Sequence, residues 1–150
     1  MEMNETNTHY SNIRQPALVT WLRLARVFQK VQLATSHHLE AYHLSTAQFD
    51  VLAQVFANQG CTQQEIAQAL LVTKGNISQL LTRMEHDGLL ERRSEGRSNA
   101  LFLTTKGRTL AQLVIPAQEA LINRLLQGLS VEQQTTLHSI LRTLDRHLDQ

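Results

Sequence analysis

The hydrophobic period of this chain changes between residues 84 and 89, and that change constrains the fold more than any other feature. Ile77, Leu80, Leu81 and Met84 recur at i, i+3, i+4 and i+7, one face of a helix. Asp87-Gly88 stops the pattern. Leu89 to Arg93 and Ala100 to Leu103 then read as two short strands. Between them Ser94-Glu95-Gly96-Arg97-Ser98-Asn99 is rich in turn formers, so a hairpin with a flexible tip is expected. Helical spacing resumes after Thr104 or Thr105.

The remainder is helical. Pro16 suits a first helical turn, and no Gly or Pro interrupts residues 17–42. That helix carries two apolar stripes, Leu18, Trp21, Leu22, Ala25 and Phe28, and Leu24, Val27, Val31 and Ala34. Two apolar faces imply packing on two sides, the second against another subunit. Ser45 with Gln48 reads as a capping box opening a helix with Phe49, Leu52, Val55 and Phe56 inward, closed by Asn58-Gln59-Gly60. Thr62 with Glu65 opens a short helix with Ile66, Ala69 and Leu70 inward, and Thr73 is a third cap candidate. After the hairpin, Leu110, Leu113, Val114, Ala117, Leu121 and Leu125 form one stripe, with a kink expected at Pro116 and an end at Gly128. Ser130 with Gln133 caps a last helix whose inward face is Leu137, Ile140, Leu141, Leu144 and Leu148.

Composition narrows the function classes. At 150 residues and 42% hydrophobic, one domain with a real core is expected. A single cysteine, Cys61, excludes an internal disulfide framework. No apolar run approaches a membrane span, and Met1 to Tyr10 lacks the basic start and apolar segment of a signal peptide, so a cytosolic location without membrane partners is expected. The net charge of +1 is unevenly placed: Arg92, Arg93, Arg97, Lys106 and Arg108 face only Glu91 and Glu95 over residues 88–108. A local basic segment is compatible with phosphate binding, although a solvated charged face is the commoner cause of such a run.

Two short helices across a tight link, followed by a two-stranded hairpin, make a winged helix-turn-helix. The fold class is therefore mainly α with a small β-hairpin wing. The helix at 74–87 turns its stripe to the core and presents Gly75, Gln79, Thr82 and His86, flanked by Asn76, Ser78 and Arg83. Amide and guanidinium groups there can reach base edges in a major groove, Gln or Asn pairing with adenine and Arg with guanine. Backbone N–H groups near Thr73 and Lys74 can hold a phosphate.

At this point the chain resembles the MarR family of transcription regulators. Leu44-Ser45-Thr46-Ala47-Gln48-Phe49 is similar to the start of that family's second helix, and Thr62-Gln63-Gln64-Glu65-Ile66-Ala67 with Asn76-Ile77-Ser78 to its helix-turn-helix. The run from Leu80 to Arg93 resembles its most recognisable stretch, and Leu103-Thr104-Thr105-Lys106-Gly107 the segment closing the wing. The resemblance implies a homodimer joined by first and last helices (about 17–42 and 109–150), a DNA-binding lobe over about 45–108, and double-stranded DNA as partner. It also implies a crevice for a small-molecule effector, for which Trp21, Phe28, His38, Tyr42 and Phe49 are the candidates. One departure stands out. The family wing often carries Asp-x-Arg, whereas this chain has Glu95-Gly96-Arg97 after a shorter loop. Arg97 is the candidate for the minor groove, where narrow geometry concentrates negative potential.

Other readings follow from particular residues. His37, His38, Glu40 and His43 cluster at one helix end among seven histidines, which suggests a metal sensor, yet adjacent His37 and His38 diverge on a helix and no compact His pair completes a site. Cys61, just ahead of the Thr62 cap, suggests a redox sensor, but its place at the edge of the DNA-binding lobe favours a small buried spacer. No Gly-rich phosphate loop, nucleophile elbow or metal motif indicates an enzyme, and no cofactor is implied. The winged fold also serves as a protein-interaction module, so fold alone does not decide for DNA.

Overall fold

The computed structural model describes residues 15–70 and 74–150. Its elements run α1 (Pro16–Glu40), α2 (Thr46–Ala57), α3 (Gln63–Ala69), α4 (Lys74–His86), β1 (Leu90–Glu95), β2 (Ser98–Leu103), α5 (Thr105–Leu125) and α6 (Val131–Leu148). Two compact units, residues 1–34 and 35–150, divide the chain within α1. In the described part of the first, α1 starts at Pro16, whose missing N–H leaves nothing unsatisfied in a first turn. Trp21 and Phe28, two turns apart, are each 61% exposed in the single chain.

The second unit holds the core: Leu39, Val51, Leu52, Val55, Ile66, Ile77, Leu81, Met84, Leu90, Leu101 and Val114. Three helix starts follow the sequence reading to the atom. Ser45, Thr62 and Ser130 each accept from the backbone N–H three residues on, and Gln48, Glu65 and Gln133 each return a side-chain oxygen to the cap's own N–H. These reciprocal bonds satisfy helix N–H groups that have no intrahelical acceptor.

Several inward positions differ from expectation. In α2 the core side is Gln48, Val51, Leu52 and Val55, and Phe56 is exposed; in α3 Ala67 is buried in place of Ala69. The α2 stripe is shifted by one residue, whereas in α3 Ile66 keeps its place and only the alanine differs, on a helix of two turns. In α5, Ala111, Val114 and Gln118 are buried, whereas Leu113 and Leu125 are exposed. The helix continues through Pro116 and ends at Leu125, before Gly128. No residue of α6 is buried, so the face expected to point inward, Leu137, Ile140, Leu141, Leu144 and Leu148, is open in the single chain.

The hairpin is tighter and longer than expected. Glu95 pairs with Ser98 and Ser94 with Asn99, leaving Gly96-Arg97 as a two-residue turn in place of a six-residue flexible tip. Gly96 has φ +63° at the first turn position, and Arg97 does not have positive φ, the pattern of a type II′ turn whose twist matches the strands. On its outer edge β2 is tied to the α2–α3 link, where Gly60 N–H donates to the Leu101 carbonyl and Leu101 N–H to the Cys61 carbonyl, both at 2.8 Å.

Candidate nucleic-acid interface

The surface expected to meet DNA is built on α4. Its core side is fixed by Ile77, Leu81 and Met84, each essentially inaccessible. Helical geometry then turns Gly75, Asn76, Gln79, Thr82, Arg83 and His86 outward, and all are exposed, with Ser78 half-buried. Asn76, Gln79 and Arg83 border one shallow groove with Ala47 of α2. Thr73 lies outside the described residues, as does the side chain of Lys74.

Not every outward residue is free. The Thr82 hydroxyl donates to the Ser78 carbonyl at 2.9 Å and accepts from Arg92 Nη2. Arg92 Nη2 also donates to the Ser78 carbonyl at 3.2 Å, and the Arg92 backbone N–H donates to Glu85 Oε2 at 3.2 Å. Arg92 and Arg93 were one basic run in the sequence, but strand alternation sends them apart. Arg93 lies over the Phe102 ring, 4.1 Å from its centroid, with Glu91 at 3.4 Å. The docking role of Arg92 was missed because its partners lie 7–14 residues away on another element.

Arg97 stands exposed at the wing tip. Together with Ser98 and Asn99 it borders a cleft of about 230 Å³ whose other wall is Gln63, Gln64 and Ala67 of α3 and Ile77 of α4. The fold thus brings the wing-tip cation beside both helices of the helix-turn-helix. Glu95, the expected orienting acid, pairs through its backbone with Ser98; no ion pair joins it to Arg97 among the described contacts.

The base of the interface is tied by hydrogen bonds. Lys106 Nζ donates to the Asp87 carbonyl at 2.8 Å and the Thr104 hydroxyl to the Gly88 carbonyl, so the start of α5 binds the end of α4. Beside this joint lies a cleft of about 1060 Å³ bordered by Tyr42, His43, His86, Lys106 and Leu110. His43 adopts φ +56°, a conformation few non-glycine residues take. Of the residues expected to line an effector crevice, Tyr42 borders this cleft and His38 packs on Tyr42 with ring centroids 5.5 Å apart. His38 Nδ1 also meets Gln118 Oε1 at 2.9 Å. Phe49 packs against the core, while Trp21 and Phe28 belong to the first unit.

The sensing alternatives receive little from the geometry. His37 sits 3.4 Å from Glu40 in solvent, and no three His, Cys, Asp or Glu side chains converge among the described residues. Cys61 is buried, and burial, with Glu65 nearby, pushes its thiol above the ordinary range despite a backbone hydrogen bond that acts the other way. No helix of the described residues is long and apolar enough to cross a membrane.

Comparison with known proteins agrees with this architecture. The MarR family model matches residues 43–98. An HTH-type transcriptional regulator of Bacillus cereus (strain ZK / E33L) is 33% identical over 128 residues, covering 85% of this chain and 87% of the relative. The S. aureus MepR–DNA complex superimposes with a TM-score of 0.77 at 24% identity, covering 85% of this chain and 96% of that one. A Mycobacterium tuberculosis MarR family protein in complex with salicylic acid gives a TM-score of 0.65 at 27% identity, over 81% of this chain and 92% of that one. Helix-turn-helix, hairpin and flanking helices are all accounted for: the chain belongs to the MarR family of winged helix-turn-helix, DNA-binding transcription regulators.

Proposed function

We propose that the protein is a cytosolic, homodimeric repressor that binds a pseudo-palindromic operator and releases it on binding a small molecule. The observation that carries the reading is the shared placement of the exposed α4 face and Arg97 around the helix-turn-helix. An exposed amide and guanidinium face suits a major groove, and a tip arginine suits the adjacent minor groove. In this reading Thr73, Lys74, Gly75, Asn76, Ser78, Gln79, Thr82, Arg83 and Arg97 form the DNA surface.

Dimerisation is supported by the apolar side chains left open on α6 and on the first turns of α1. Two lobes related by a two-fold axis read two half-sites. Effector response is supported by the 1060 Å³ cleft at the α4–α5 joint, and by the salicylic acid held by the similar M. tuberculosis protein. A ligand entering beside His86 and Lys106 would touch the end of α4 and the start of α5 at once. The test is a selection of genomic fragments by the purified protein, followed by a gel shift. Retained fragments sharing an inverted repeat are expected. Retention of no fragment over background removes the regulator reading and leaves the winged-helix protein-interaction module.

A further inference from the structure

We propose that Arg92 is a positioning residue for recognition: it stays the wing against α4, so that the tip arginine and the helix face meet DNA in one fixed geometry. The inference rests on the DNA-binding reading above but concerns a residue that reaches no DNA in it. Three observations carry it. The Arg92 side chain is only 17% exposed, and its Nη2 is committed to the Ser78 carbonyl and the Thr82 hydroxyl, leaving that group unavailable to a phosphate. The Glu85 carboxylate takes the Arg92 backbone N–H at 3.2 Å and faces Nε at 3.7 Å, so backbone and side chain of one strand residue are held by one helix turn. Finally, the opposite edge of the hairpin is already fixed at Leu101 by Gly60 and Cys61. With β2 as the hinge, Arg92 is the stay on the free edge.

Geometry shows why that matters. At about 3.3 Å per residue the turn stands about 13 Å beyond Arg92, so a swing of about 10° moves the tip by about 2 Å. That is most of a hydrogen-bond length. A lysine in place of Arg92 keeps the charge but has no Nε–H to face Glu85 and no planar guanidinium to aim its nitrogen at Ser78 and Thr82.

The experiment has a DNA-free arm and a DNA arm, using Arg92→Ala, Arg92→Lys and Glu85→Gln, the last as a milder variant should removal of Arg92 impair folding. Without DNA, amide exchange over residues 92–99 is expected to quicken by roughly fivefold in the Arg92 variants, with α2 and α5 unchanged. Unchanged wing exchange in all three variants overturns the proposal. With operator DNA, both Arg92 variants are expected to bind about tenfold more weakly at an unchanged salt slope. Arg97→Ala, costly in the wild-type background, is expected to cost little on top of Arg92→Ala, because a misplaced tip has little left to lose. Additive penalties, or a slope that falls by about 1 with affinity restored by lysine, would make Arg92 a phosphate contact and overturn the proposal. If the wild type retains no DNA, the regulator reading fails and the recognition role falls with it, while the exchange arm alone decides whether Arg92 holds the wing.

Discussion

Gly107 lies so close to Leu89 that a Cβ added to it would stand 1.9 Å from the Leu89 carbonyl oxygen. That oxygen accepts from the Thr104 N–H at 3.1 Å, so it cannot withdraw without breaking a bond. The first turn of α5 therefore packs backbone on backbone against the residue that precedes β1.

Gly107→Ala is accordingly expected to be destabilising although alanine is the better helix former. The overlap is with main chain, and overpacking of this kind costs typically 1–3 kcal/mol or more. Thermal unfolding measures it. An unchanged midpoint would mean that α5 can shift away from Leu89 freely.

Removing the Gln79 amide tests base reading. Gln79 is exposed on α4, on the same side as Asn76 and Arg83. Gln79→Ala is expected to lose roughly 1–3 kcal/mol of discrimination at one operator position, with little change in stability. Binding of every single-base operator variant by the mutant should be compared with wild type; identical profiles assign Gln79 to solvent.

Removing the charge at the wing tip tests groove insertion. Arg97 is exposed and belongs to no core cluster, so Arg97→Ala should leave the fold intact. Affinity is expected to fall for cognate and unrelated DNA alike, more where the flank is A·T-rich, with the salt slope reduced by about 1. Parallel log–log lines at equal affinity would show that recognition rests on α4 alone.

The uncovered α6 face makes a prediction about assembly. Ile140 is 59% exposed and Leu148 73%, on a helix with no buried residue. Sedimentation at micromolar concentration is expected to give about 34 kDa, twice the 17.0 kDa of one chain. Ile140→Asp should shift the equilibrium towards monomer. A wild type that sediments as a monomer contradicts the dimer.

Cys61 yields a chemical prediction. Its thiol is buried and its pKa raised, chiefly by desolvation, so the nucleophilic thiolate is scarce at neutral pH. Alkylation of the native protein is expected to be far slower than that of the urea-unfolded chain, and to quicken as pH rises. Equal rates at neutral pH would reopen the redox-sensor reading.

How much of this was legible in the sequence depended on the range of the interaction. Caps are local, and Ser45–Gln48, Thr62–Glu65 and Ser130–Gln133 all form as read. The α4 stripe is local too, which is why its outward face was legible. The hairpin tip was not, because Ser94, Glu95, Ser98 and Asn99 pair by backbone while their side chains carry the composition of a loop. The Arg92 contacts to Ser78, Thr82 and Glu85 depend on the angle at which β1 packs on α4, and no periodicity encodes that angle. Apolar spacing likewise marks a face on α6 without saying what covers it.

Because Thr104 and Lys106 fasten directly onto the carbonyls of Gly88 and Asp87, the chain runs from α4 to α5 across a short bridge, and the wing is a detour from it. A detour closed at its base can change length without moving either helix. With β2 pinned at Leu101 and β1 at Arg92, growth at Gly96-Arg97 by matched additions, one residue to each strand, keeps both anchors in register. An odd insertion must bulge. Matched additions of this kind would lengthen the reach of the tip while α4 and α5 stay where they are.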